Sequence, residues 1–149
     1  MNQLHGHYFE DIRIGMSAIY SKTITDADIL LFSGVSGDTN PLHLDQDFAA
    51  STMFKSRIAH GMLSASLIST IFGTKLPGPG CVYLSQNLRF KAPVRSGDTV
   101  QAQATVREIL PERHWVKFDC ICRVGNTVVI EGDALIMVQS RPAASVAAE

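Results

Sequence analysis

The sequence predicts an α+β fold in which a curved antiparallel sheet wraps around one long central helix. Three features carry that prediction. Residues His60–Thr74 hold Met62, Leu63, Leu67, Ile68, Ile71 and Phe72, with Ala and Ser between them and no Asp or Glu. A helix this free of charge is expected to be buried nearly all round. Pro77-Gly78-Pro79-Gly80 stops it. From Cys81 to Val138 the apolar residues then recur with period two, the signature of strands. Strands that follow one buried helix pack against it as a sheet. Such a sheet leaves an edge and a face uncovered, so a homodimer, or a higher oligomer of dimers, is expected to complete it.

The elements follow in order. Met1–Gly15 reads as an irregular entry leading to a strand near Ser17–Ile24. Thr25-Asp26-Ala27-Asp28 is a helix start, with Thr25 as cap and Asp28 in the capping-box position. That helix is expected to bury Ile29, Leu30, Phe32 and Ser33 and to end at Gly34 or Gly37. Asp45 caps a short helix over Gln46–Ala50 whose Phe48 points inward, and Asp47 is a solvated charge. After the Pro-Gly cluster, Cys81–Phe90 is a strand with Val82, Leu84, Asn87 and Phe90 as its better-buried residues. Thr99–Leu110 alternates through Val100, Ala102, Ala104 and Val106. Trp115–Val124 alternates through Val116, Phe118, Cys120 and Cys122. Gly125-Asn126 is a hairpin turn into the last strand, Thr127–Val138. Arg141–Glu149 is an alanine-rich tail, expected to be disordered.

Composition narrows the function classes. A chain of 149 residues is the size of one domain with a proper core, here about residues 9–138. The formal net charge of −1 gives no electrostatic case for a nucleic-acid or membrane-surface partner. The apolar helix falls short of the roughly 20 residues a membrane span needs. Met1–Glu10 is polar and lacks a secretory pattern. With Cys81, Cys120 and Cys122 an odd set, and Cys120 and Cys122 on one strand face as small core residues, a cytoplasmic protein is expected. No Cys and His occur at zinc spacing, so no metal is expected.

The functional signal lies between Ser36 and Ser69. Asp38, Asn40 and His43 crowd around Pro41 just before the buried helix opens at His60-Gly61. Asp38 and His43 are five residues apart, which places them on different faces of a helix and opposite sides of a strand. They converge only on irregular backbone, which Pro41 favours. An acid, an amide and an imidazole on such a loop point to a site.

The segment Gly37-Asp38-Thr39-Asn40-Pro41-Leu42-His43-Leu44-Asp45, followed by Ile58-Ala59-His60-Gly61-Met62-Leu63, resembles the MaoC-like dehydratase family, and within it the (R)-specific enoyl-CoA hydratases. The resemblance spans about Phe9 to Val138. It implies the hot-dog fold, a dimer with active sites at its interface, and reversible hydration of a trans-2-enoyl-CoA to an (R)-3-hydroxyacyl-CoA. The family's catalytic acid falls on Asp38, its histidine on His43, its backbone oxyanion donor on Gly61 and its helix serine on Ser69. Asn40 matches the family asparagine of the same loop.

The residue chemistry fits that reaction. Asp38 is suited to deprotonate a water that His43 also holds, while a proton is delivered to C2. Gly61 at the first turn of a buried helix offers a free N–H to the thioester oxygen, strengthened by the helix dipole. No cofactor is required. His60 and Leu63 stand on the substrate side, His60 orienting the helix start and Leu63, with Leu67, flooring the acyl pocket. Arg57, Arg89 and Lys91 are candidates for the CoA phosphates.

Plainer readings exist for the same residues. Gly-Asp-Thr-Asn-Pro is good turn chemistry by itself, His43 has the profile of a core histidine, and Ser69 that of a small residue at a tight contact. Ser64 and Ser66 read as packing. Competing functions are a hot-dog thioesterase, a 3-hydroxyacyl dehydratase acting on acyl carrier protein, and a non-catalytic acyl-thioester binding module. The helix lacks the carboxylate several thioesterases of this fold use, and a binding module is expected to have lost Asp38 or His43.

Overall fold

The computed structural model describes residues 4–143. Five antiparallel strands form one sheet in the order β1-β3-β4-β5-β2: β1 (Ser17–Thr23), β2 (Val82–Phe90), β3 (Thr99–Leu110), β4 (Trp115–Val124) and β5 (Thr127–Met137). The helices are α1 (Asp26–Ser36), α2 (Pro41–Leu44), α3 (Gln46–Ala50) and α4 (Gly61–Thr74). α4 lies against β1, β3 and β4. This is the sheet-around-helix arrangement that the pattern predicts.

The centre of the sheet obeys period two. Val100, Ala102, Ala104 and Val106 of β3 and Val116, Phe118, Cys120 and Cys122 of β4 are all buried. In register, Ala102 pairs with Cys122 and Ala104 with Cys120. These small side chains leave room for Ile68, Ile71 and Phe72 of α4, each at most 1% exposed. Phe72 meets Phe118 and Tyr83 edge-on, with ring centroids 4.9 and 5.2 Å apart, a favoured aromatic geometry. Burial pushes the Cys120 and Cys122 thiols up to about 12, so both behave as small apolar residues.

Local signals hold at α1. The Thr25 hydroxyl accepts from the Asp28 N–H at 3.2 Å and the Thr25 N–H donates to the Asp28 carboxylate at 2.9 Å. Gly37, at φ 77°, ends the helix, a left-handed position that glycine takes without a Cβ clash.

Several expectations are corrected. α1 buries Ile29 and Ser33, but Leu30 is 65% exposed, because its outer face has nothing packed on it. Phe48 is exposed and Ala49 turns inward instead. Val82, Leu84, Asn87 and Phe90 are all exposed; β2 is the sheet edge, shifts register between Tyr83 and Ser85, and only half-buries Leu88 and Gln86. α4 is not buried all round: Met62, Ser66, Ser69 and Gly73 form an exposed stripe free of charge. Pro41 does not exclude a helix, since it opens α2 at the first helical position, where a missing N–H costs nothing.

The alanine-rich tail lies outside the described residues from position 144 onward. Arg141, just before, is held: its guanidinium is 2.7 Å from the Asp11 carboxylate and its N–H donates to Glu10. No helix among the described residues is long and apolar enough to cross a membrane.

Candidate active site

Four separate elements bring the polar residues together. α1 ends at Gly37 and releases Asp38. The Asp38 loop is shaped locally: its N–H donates to the Ser36 hydroxyl at 3.1 Å, and its carboxylate accepts from the Asn40 N–H at 3.3 Å. The Asn40 side chain accepts from the Leu42 N–H, which caps α2. That helix carries His43 inward, and α4 begins beneath it at His60.

His43 and His60 stack, with ring centroids 3.8 Å apart and planes 28° apart. Each ring is oriented by a backbone carbonyl. His43 Nδ1 lies 2.8 Å from the Ile58 carbonyl oxygen, which can only accept, so in the neutral ring Nδ1 carries the proton and Nε2 is the bare nitrogen. His60 Nε2 lies 2.9 Å from the Asp38 carbonyl oxygen and 3.2 Å from the Ser33 hydroxyl. There the neutral ring carries its proton on Nε2, and Nδ1 is the bare nitrogen. Side-chain ligand atoms of Asp38, His43 and His60 all lie within 4.8 Å of one another.

A carboxylate and two imidazoles also make a transition-metal ligand set. Imidazole lone pairs lie in their ring planes, however, and two stacked rings direct them side by side rather than at one ion. The set is better arranged to hold water and move protons.

These groups line a cavity of about 480 Å³ together with Met53, Ile58, Gly61, Ser64 and Phe90. At the first turn of α4, the Gly61 and Met62 N–H groups have no acceptor among the described residues, as expected of a helix N-terminus. A Cβ on Gly61 would stand 2.6 Å from the Phe90 ring, so any larger residue there forces that ring or the helix start to shift. Lys91 also lines the cavity, with its ammonium 3.4 Å from the Glu131 carboxylate.

Not every expected site residue is in this wall. Asp38, His43, His60 and Gly61 are. Asn40 acts as the α2 cap. Leu63 is buried in the core and does not line the cavity. Ser69 lies about 12 Å along α4 from Gly61, on the exposed stripe. Of the cationic candidates, Arg57 is committed to Asp26 at 3.1 Å, and Arg89, 3.9 Å from Glu131, is off the cavity wall.

Ser33 and Ser64 are polar residues of the site without a predicted role: Ser33 is expected only to be buried, and Ser64 to pack. A signal existed in each case. Both hydroxyls sit on the apolar side of a helix, and a buried hydroxyl requires a partner.

Comparison with known proteins gives a consistent set. The MaoC like domain family model matches residues 12–127. An (R)-specific enoyl-CoA hydratase of Rhodospirillum rubrum is 57% identical over 135 residues, 91% of this chain and 94% of that protein. A 3-hydroxybutyryl-CoA dehydratase of Methylorubrum extorquens is 48% identical, over 90% of this chain and 85% of its own. Among solved structures, the unliganded R-hydratase PhaJ1 of Pseudomonas aeruginosa superposes with a TM-score of 0.86 at 42% identity, covering 93% of this chain and 89% of that one.

Proposed function

Because the chain belongs to the MaoC-like domain family, we propose that it is an (R)-specific enoyl-CoA hydratase, adding water reversibly to a trans-2-enoyl-CoA to give the (R)-3-hydroxyacyl-CoA. The observation that carries this reading is the convergence of Asp38 and two carbonyl-oriented imidazoles on one cavity, beside the free amides of α4.

In this mechanism the water is held between the Asp38 carboxylate and the bare Nε2 of His43. Asp38 takes a proton as the water oxygen bonds to C3. The electron pair of the C2–C3 double bond moves toward the thioester, and its oxygen is stabilised by the Gly61 N–H at the positive end of α4. C2 is then protonated through the Asp38–His43 pair, so that one water is added overall. His60 supports the acid, because its Nε2–H grips the Asp38 backbone. Ser69 and Leu63 are assigned to the acyl side of the site and Asn40 to the shaping of its loop. The reaction needs no metal or redox cofactor.

We further propose a homodimer. Two features support it: the β2 edge, with Val82, Leu84 and Phe90 exposed, and the uncharged Met62-Ser66-Ser69-Gly73 stripe of α4. A second copy that covers the stripe also brings Ser69 into a closed acyl channel. Lys91 is the cation we assign to the CoA phosphates, since it borders the cavity and its ion pair with Glu131 joins two partly exposed side chains and is exchangeable. Three free cysteines fit a reducing compartment, the cytoplasm.

The test is the enoyl-thioester absorbance with crotonyl-CoA. Loss of absorbance with no free thiol released, abolished in Asp38→Asn, is the expected result. Free thiol would make the protein a thioesterase. Activity only with an acyl carrier protein substrate would overturn the CoA assignment. A fully active monomer in solution would overturn the dimer.

A further inference from the structure

Two buried side-chain atoms have no hydrogen-bond partner among the described residues, and both belong to one wall of the cavity: His60 Nδ1 and Ser64 Oγ. The residues are 2% and 1% exposed. Their backbones are in contact, since the Ser64 N–H donates to the carbonyl of His60, the N-cap of α4, at 3.4 Å, and both side chains line the same cavity. A buried polar atom left without a partner is costly, and two such atoms in one cavity wall mark a place where something polar binds.

Their chemistry is complementary. His60 Nε2 must carry the ring proton, because the Asp38 carbonyl oxygen it meets at 2.9 Å can only accept. In the neutral ring His60 Nδ1 is then the acceptor, while Ser64 Oγ both donates and accepts. A single O–H group placed between them satisfies both, donating to Nδ1 and accepting from the serine. Neither a carbonyl nor a carboxylate can, having no hydrogen to give Nδ1.

We propose that His60 Nδ1 and Ser64 Oγ form a hydroxyl-binding site in the inner wall of the cavity, occupied by a water or by a hydroxyl of the substrate, and that Ser64 thereby acts as a positioning residue. The bound hydroxyl holds His60 in the tautomer whose Nε2–H grips the Asp38 backbone, so the relay runs from α4 through His60 to the loop of the catalytic acid. The same restraint acts on His43, whose ring stacks on His60. The link to catalysis rests on the hydratase reading; the binding site itself does not.

The experiment pairs kinetics with nitrogen NMR of the His60 ring in wild type, Ser64→Ala and Ser64→Thr. Ser64→Ala is expected to lower kcat about tenfold, the size of one lost hydrogen bond, with KM nearly unchanged, and Ser64→Thr to restore it. The Nδ1 resonance is expected to move toward that of an unbonded nitrogen in Ser64→Ala and to return in Ser64→Thr. A shift already present without ligand identifies water as the occupant. A shift seen only with (R)-3-hydroxybutyryl-CoA bound identifies the substrate hydroxyl. No shift in either state overturns the site, and an unchanged kcat overturns its positioning role. If wild type fails to hydrate crotonyl-CoA, the hydratase reading falls while the nitrogen spectrum still decides the site.

Discussion

The two ends of α4 are built for different purposes. Its C-terminal half places Ile68, Ile71 and Phe72 against the sheet, nearly devoid of solvent and meeting aromatic partners edge-on. Its first turn holds free Gly61 and Met62 amides, an unpaired His60 nitrogen and an unpaired Ser64 hydroxyl around a cavity. One end is satisfied by packing. The other retains unmet hydrogen-bonding capacity where a substrate would meet it, and gives up stability to do so. Stability and function are thus separable along one helix.

The sharpest way to test that separation is Asp38→Asn. Hydration is expected to fall about 100- to 10,000-fold while the melting temperature stays within a degree or so of wild type, because the acid is exposed and caps no helix. A large drop in melting temperature would show that the loop belongs to the stabilising region after all.

Phe72→Ala is the converse. Removing that ring from beside Phe118 is expected to cost about 3–5 kcal/mol in urea unfolding, with per-molecule activity of the folded fraction largely kept. Loss of activity without loss of stability would place Phe72 in the site.

Gly61→Ala sits where the two regions meet. Its Cβ would stand 2.6 Å from the Phe90 ring, displacing either that exposed ring or the helix start. A loss of about tenfold in kcat is expected, since small misplacements near reacting atoms are costly. Adding Phe90→Ala should recover part of it, and the double-mutant cycle measures how much.

The smallest effect is at α1, which packs but does not react. Asp28→Asn should cost about 0.5–1 kcal/mol near neutral pH through the capping box. Hydrogen bonds from the Thr25 backbone and Lys22 hold the Asp28 carboxyl below its usual range. With a folded value depressed, the stabilisation is complete above the ordinary aspartate value of about 3.9 and is lost as pH falls through the lower folded value. Unfolding of the two proteins should therefore converge in acid.

Much of this was legible in one dimension. The Thr25–Asp28 box, the Gly37 stop, the Asp45 cap and the hairpin at Gly125 are contacts between residues a few positions apart, and local chemistry decides them. The alternation of β3 and β4 holds because both strands sit mid-sheet, with α4 over one face. The pairing of Asp38 with His43 was legible as a motif, although α2 rather than an irregular loop brings it about.

Period and local pattern determine which residues share a face, but not whether anything covers that face. The edge position of β2 leaves Val82, Leu84 and Phe90 exposed, and the bare outer side of α1 leaves Leu30 exposed, despite patterns like those of buried segments. Only the tertiary structure could decide that Ser33 bonds His60 across 27 residues, or that Ser64 and His60 are left with complementary groups unmet. Hydrogen-bond satisfaction depends on the distance between elements far apart in the chain, and no spacing along the sequence encodes that distance.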